Sequence, residues 1–224
     1  MEDAPPFRSP ALSARNAASR ARREAAVVAA KAVFFEHGYQ LTSMDLIAEQ
    51  AGTTKRTLYD YFGSKEALFS EVIAQASQQF VEALPRPEDL PDDPRQGLCR
   101  FANQVRWLVS GDDAIRFERT VIAEAERHPA FGRDLYDIGV VGAEKILAAY
   151  IDSQIDAGRL KAHDSRVTAQ VIVDIATNSA LRRLFAAQHE DSDQLAVTVI
   201  EEAVGLFISK YAVNKYRNKG AAAK

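Results

Sequence analysis

Residues 41–69 read LTSMDLIAEQAGTTKRTLYDYFGSKEALF. This stretch predicts two short helices joined by a tight turn. In the first, Met44, Ile47, Ala48 and Ala51 recur at i, i+3, i+4 and i+7, one face of an α-helix. Thr42 with Asp45 three residues on resembles a capping box and is the expected helix start. Gly52 breaks the helix, and Thr53 or Thr54 caps the next, which ends near Phe62 with Leu58 and Phe62 as its inward pair. Gly63 and Ser64 make a new break. Ser64 then caps a longer helix with Phe69, Val72, Ile73, Ala76 and Phe80 as its stripe.

The inward positions leave the other face of the second helix free, and it carries Lys55, Arg56, Thr57, Tyr59 and Tyr61. A helix of eight residues is roughly 12 Å long, close to the roughly 12 Å width of the B-DNA major groove. Lysine and arginine donate to guanine edges or phosphates, while threonine and tyrosine hydroxyls and helix-start N–H groups hold phosphates. Lys65 opens the following helix, where a cation could reach the flanking backbone. In isolation Tyr59 and Tyr61 would read as ordinary surface residues. Their spacing after Gly52-Thr53-Thr54-Lys55 favours DNA contact.

Working outward, a helix is expected from about Arg20 to His37, with Ala26, Val27, Ala30, Val33 and Phe34 as its stripe and Gly38 as its stop. Residues 1–19 lack apolar periodicity and read as a disordered arm. Its arginines and those that follow (Arg8, Arg15, Arg20, Arg22 and Arg23) read as a solubilising run or as a minor-groove arm. Residues 85–94, PRPEDLPDDP, read as a linker. Further helices are expected at roughly 94–110, 113–127, 133–157, 164–188 and 192–213, before a basic tail at 214–224. The predicted fold is all-α with about nine helices. A helix-turn-helix domain covers 20–64 and a larger helical bundle covers 65–213.

Hydrophobic residues form 47% of the 224, enough for a core, and strict period-two alternation is almost absent, which argues against strands. Net charge is −3, but residues 1–65 carry +2, residues 66–209 carry −10 and residues 210–224 carry +5. Local basic surface, not the whole-chain balance, is what meets phosphate. One cysteine, Cys99, excludes an internal disulfide, and the four histidines show no metal spacing. No metal or cofactor is expected. No phosphate loop, nucleophile elbow or H-E-x-x-H motif supports catalysis. Without a signal-peptide pattern or a long apolar span, the protein is expected in the cytoplasm.

The reader stretch resembles the TetR family of regulators. The residues that carry the resemblance are Phe34, Gly38, Thr42-Ser43, Ile47-Ala48, Ala51-Gly52, Thr57-Leu58-Tyr59-Asp60-Tyr61-Phe62 and Ser64-Lys65-Glu66-Ala67-Leu68. The resemblance implies DNA contacts from Ser43, Lys55, Arg56, Thr57, Tyr59, Tyr61 and Lys65. Thr57, Tyr59 and Lys65 would lie mainly on phosphates, and Lys55, Arg56 and Tyr61 nearer base edges. Arg56 departs from the small residue that many members carry there. The remainder resembles the AefR-like branch through Glu124 to Pro129, Gly132 to Tyr136 and Gln154 to Leu160.

Phe101, Trp107, Phe117, Tyr136 and Tyr150 are candidates to line a ligand pocket, although aromatics at helical spacing are more often plain core. Asp174 and Asn178 interrupt the very apolar segment from Val167 to Phe185, where they could face a ligand or pair across a dimer interface. The last two long helices, about 164–188 and 192–213, are apolar on several faces and need partners on several sides. The resemblance implies a four-helix bundle across a two-fold axis. Such a contact buries on the order of 2,000 Å² or more. Two reading helices about 34–36 Å apart then require a palindromic operator. The expected function is a ligand-responsive transcriptional regulator, a repressor released by an unidentified small molecule that moves the longer helix opened by Lys65. Two other readings are a DNA-binding architectural protein without a ligand and a small helical enzyme or carrier.

Overall fold

The computed structural model describes residues 10–185 and 192–217. They form eleven α-helices, with one 3₁₀ turn, one π turn and a single isolated β-bridge. The chain divides into two compact units, Met1–Ile73 and Ala74–Lys224.

The first unit holds α1 (Pro10–Leu41), α2 (Met44–Gln50), α3 (Lys55–Phe62) and the start of α4 (Lys65–Glu82). Helix α1 begins ten residues before the expected start. Residues 10–19 are therefore helical, and the arm expected over 1–19 is corrected there; residues 1–9 lie outside the described residues. Proline at a first helical position loses no hydrogen bond, and the alanines and arginines behind Pro10 are strong helix formers. Near the other end the backbone leaves the helical region at Gly38, with φ 74°, as a glycine stop requires.

The cap of α2 differs from expectation. Thr42 is buried, and its hydroxyl donates backwards to the Gly38 carbonyl at 2.7 Å, satisfying an acceptor at the end of α1. The cap therefore shifts to Ser43, whose Oγ accepts from the Leu46 N–H at 3.2 Å. Thr54 caps α3 by accepting from the Thr57 N–H, and Ser64 Oγ accepts from the Ala67 N–H at the start of α4. Ala26, Val27, Ala30, Val33 and Phe34 of α1 are buried with Met44, Ile47 and Ala48 of α2, Leu58 and Phe62 of α3, and Phe69 and Val72 of α4. The Phe34, Tyr39 and Phe69 rings form the centre, with centroids 4.6–5.8 Å apart.

In the second unit α5 (Pro94–Val109), α8 (Val141–Asp156), α9 (Ser165–Leu184) and α10 (Ser192–Tyr211) pack round one core that includes Leu98, Phe101, Leu147, Ile151, Ile172 and Val204. Helices α6 (Asp112–Glu124) and α7 (Pro129–Asp134) flank it. The helix expected at 133–157 is divided: α7 starts at Pro129 and passes through a π turn, Leu135–Val140, before α8. At the far end α11 (Asn214–Arg217) occupies the first residues of the expected basic tail, and 218–224 lie outside the described residues.

The segment expected as a linker is fastened within this unit. Leu84 and Leu90 are buried, Asp92 pairs with Arg159 at 2.9 Å, and the Pro91 carbonyl accepts from the Tyr150 hydroxyl at 2.7 Å. Its proline and acid content made it look free. Two leucines and a hydroxyl 59 residues away hold it, and the division between the units falls inside α4, between Ile73 and Ala74.

Candidate nucleic-acid interface

Helix α3 buries Leu58 and Phe62 and leaves Lys55, Arg56 and Tyr59 exposed, with Thr57 and Tyr61 half-exposed. This is the division the spacing predicted. Thr57 faces Thr54, with their hydroxyls 2.9 Å apart. Ser43, exposed at the start of α2, uses its side-chain oxygen for the cap. Arg56 has no ion pair or hydrogen bond among the described residues, so its five donors are open to an outside acceptor.

Three other cations of this unit, Lys55, Lys65 and Arg23, are engaged. Lys55 Nζ donates to Asp45 Oδ2 at 2.7 Å, linking α3 to α2, and this bond raises the lysine above its ordinary pKa. Lys65 Nζ donates to the carbonyls of Tyr39 and Thr42 at 2.9 and 3.0 Å and lies 4.2 Å from the Tyr39 ring centroid. It clips the start of α4 to the end of α1 and the turn before α2. Arg23 forms a two-pronged bond with Glu71 at 2.8 and 3.0 Å and lies 4.9 Å from the Phe62 ring centroid. This bond holds the Glu71 carboxyl below the ordinary glutamate range.

The candidate pocket residues do not share one environment. Phe101, Phe117 and Tyr150 are buried, whereas Trp107 is 65% exposed and Tyr136 and Asn178 are also exposed. Among the described residues nothing encloses Trp107, Tyr136 or Asn178, which lie at the surface. Tyr150 serves the packing of its unit. Its hydroxyl donates to Pro91, and its ring fills the place where a Cβ on Gly97 would lie 1.9 Å from Oη. Ser77 of α4 is only 2% exposed, and its Oγ makes no hydrogen bond among the described residues. Gly139 of the π turn lies opposite, where a Cβ would stand 3.7 Å from that of Ser77. One turn further along, a Cβ on Gly142 would come within 2.7 Å of Val81. Glu144 of α8 has a buried Oε1 that is also without a partner among the described residues, and burial pushes its carboxyl up, with Asp174 adding repulsion.

Residues 26–72 match the family model of bacterial regulatory proteins of the tetR family, and residues 96–213 match that of the AefR-like transcriptional repressor C-terminal domain. The chain belongs to the TetR family. It is 27% identical to the HTH-type transcriptional activator FasR of Mycolicibacterium smegmatis, over 82% of each chain. It is 24% identical to the fatty acid metabolism regulator protein of Bacillus subtilis, over 77% of this chain and 89% of that one. A solved structure of the flavonoid-responsive regulator FrrA superposes with a TM-score of 0.69 at 27% identity, covering 86% of this chain and 98% of that one. This TetR-family member is a DNA-binding transcriptional regulator and not an enzyme. Among the described residues no helix is long and apolar enough to cross a membrane.

Sequence reasoning missed Asp45, Arg23 and Glu71 as members of the reader's polar network, and Ser77 as a buried hydroxyl. The alternation of basic and polar residues on α3 was visible. The bonds of the network, Lys55 to Asp45 and Arg23 to Glu71, span 10 and 48 residues and left no periodic signal.

Proposed function

We propose that this TetR-family regulator is a ligand-responsive repressor that binds a palindromic operator as a homodimer and releases it when a small molecule enters the Ala74–Lys224 unit. DNA contacts come from Ser43, Lys55, Arg56, Thr57, Tyr59 and Tyr61, with Lys55, Arg56 and Tyr61 nearest base edges. The observation that carries ligand response is α4. Its first half holds Lys65 and Glu71, tied into the reader, and its second half holds the buried, unpartnered Ser77 hydroxyl. A buried polar group without a partner costs stability. A ligand group that bonds to Ser77 removes that cost on the same helix that begins in the reader. A coupling of about 1–3 kcal/mol changes DNA affinity by about 5- to 150-fold. The repressor direction rests on the AefR-like repressor match, and responsiveness accords with the flavonoid-responsive neighbour.

Dimerisation through α9 and α10 accords with their apolar exposure. Val167, Val171 and Leu181 on α9, Phe185 just after it, and Leu195, Val199 and Leu206 on α10, are all exposed. Asp174 and Asn178 lie on the same α9 stripe and are exposed too, which favours the interface over the ligand for them. The architectural reading, without a ligand, leaves Ser77 unexplained.

The test starts with a duplex selected from a random pool. Fluorescence anisotropy should show it bound on the order of 10³-fold or more tighter than random duplex, with Arg56→Ala and Tyr61→Ala weakening only the selected one. Compounds of the flavonoid and fatty-acyl classes are then screened for release. Ser77→Val should keep operator affinity within about twofold and blunt release by about the factor of the coupling. Equal binding of selected and random duplexes would sink the reader, and release unaffected by Ser77→Val would sink Ser77's role.

A further inference from the structure

Asp45 is the second residue of α2 and Lys55 the first of α3, so their bond spans the turn of the DNA-reading motif. Both side chains are exposed, by 68% and 50%, and Asp45 lies two residues from Ser43 on the side of α2 that meets α3. An exposed pair at 2.7 Å is weakly held and exchangeable. The reader therefore presents Lys55 with an anion of its own before any nucleic acid arrives.

We infer that Asp45 is a specificity-determining residue, which holds Lys55 away from DNA that is not the operator. The inference rests on the reading of Lys55 as a DNA contact. On random DNA the encounter offers Lys55 a phosphate, one negative charge in place of another. The exchange gains little, and it leaves the Asp45 carboxylate unpaired beside a polyanion. At the operator Lys55 meets acceptors placed by the register of the whole helix, such as guanine O6 and N7. Those acceptors come together with the contacts of Arg56 and Tyr61, and the exchange becomes favourable. A carboxylate that competes on every sequence, and is displaced only on the right one, raises the ratio between operator and random binding.

Capping does not account for the carboxylate at this place. Ser43 already caps α2, so the Asp45 side chain is not needed to satisfy the Leu46 N–H. Its position in the first turn of α2 suits the helix dipole, but that role is indifferent to Lys55.

Four full-length proteins separate the possibilities: wild type, Asp45→Asn, Lys55→Ala and the double variant, with Asp45→Glu as the charge-preserving control. Each is titrated with the selected duplex and with a random duplex across a salt series, after circular dichroism has shown that it is folded. In Asp45→Asn, affinity for random DNA should rise about two- to fivefold and that for the selected duplex by less. The salt slope on random DNA should steepen by about 0.9 per protomer as Lys55 takes a phosphate. Asp45→Glu should keep the wild-type ratio. In the Lys55→Ala background Asp45→Asn should no longer steepen the slope. An equal gain on both duplexes, or the same slope change with and without Lys55, would overturn the inference and leave Asp45 as general negative charge. Lys55→Ala without any loss on the selected duplex would instead overturn the reading of Lys55 as a contact.

Discussion

Replacing Lys65 with methionine separates two roles for this residue. The sequence pattern implied a phosphate contact, while the structure gives its ammonium two carbonyl partners, Tyr39 O at 2.9 Å and Thr42 O at 3.0 Å, and the face of the Tyr39 ring. Hydrogen bonds to charged groups contribute about 1.5–3 kcal/mol each. Lys65 is half-exposed, so the low end applies. Lys65→Met keeps the apolar stem, removes both bonds and leaves two carbonyls at the junction of α1 and α2 without their donor. The expected loss is about 3 kcal/mol, which lowers the melting temperature by roughly 6–12 °C for a chain of this size. Thermal unfolding followed by circular dichroism reads the stability, and anisotropy on the selected duplex reads the salt slope. A clip predicts the drop in melting temperature. If Lys65 acted only through phosphate, the melting temperature would stay within about a degree, and the salt slope would fall by about 0.9 per protomer. That outcome would refute the reasoning.

In the second unit, burial pushes the Glu118 carboxyl up to about 7, so between about pH 4.5 and 7 the folded state keeps a proton that the unfolded state has lost. Stability contributed at this site falls as pH rises through that window and is level above it; Glu118→Gln should therefore be more stable than wild type by about 3 kcal/mol at pH 8 and equal to it near pH 4, read from urea midpoints. On the apolar faces of α9 and α10, Val171→Glu with Leu206→Glu should convert the proposed dimer to monomer in analytical ultracentrifugation and lower operator affinity, and a persisting dimer would place the interface elsewhere.

The reader was legible because its signals are local. Apolar residues three and four apart, with Gly52 and Gly63 at positive φ, define two short helices and the start of a longer one without reference to anything distant. The cap at Thr42 was misplaced because its hydroxyl choice depends on burial against α1, which the capping pattern does not encode. The candidate pocket residues differ in burial for a related reason. Period 3.6 groups Phe101 and Trp107 on one helix but does not say which face meets the core; Phe101 is buried and Trp107 is not. For the proline-rich segment composition was misleading, because chain stiffness and acidity describe 85–94 equally well whether it floats or is pinned by Tyr150 and Arg159.

The arrangement of the cations bears on how this protein tells one sequence from another. A reader that met DNA with every lysine and arginine unpaired would gain most of its affinity from phosphate, which is the same on all sequences. Here Arg23 is held by a two-pronged carboxylate and Lys65 by two carbonyls, so both serve the fold of the reader. Lys55 is held by an exposed carboxylate and is the cation that can change partners at modest cost. Arg56 has no ion pair among the described residues and replaces the small residue that many family members carry at this position. On the proposed reading, discrimination is concentrated on two adjacent residues at the start of α3, Lys55 and Arg56. A long guanidinium in that first turn suits bidentate bonding to guanine in the major groove, and so the base opposite Arg56 is where the operator of this protein should differ most from those read by members with a small residue there.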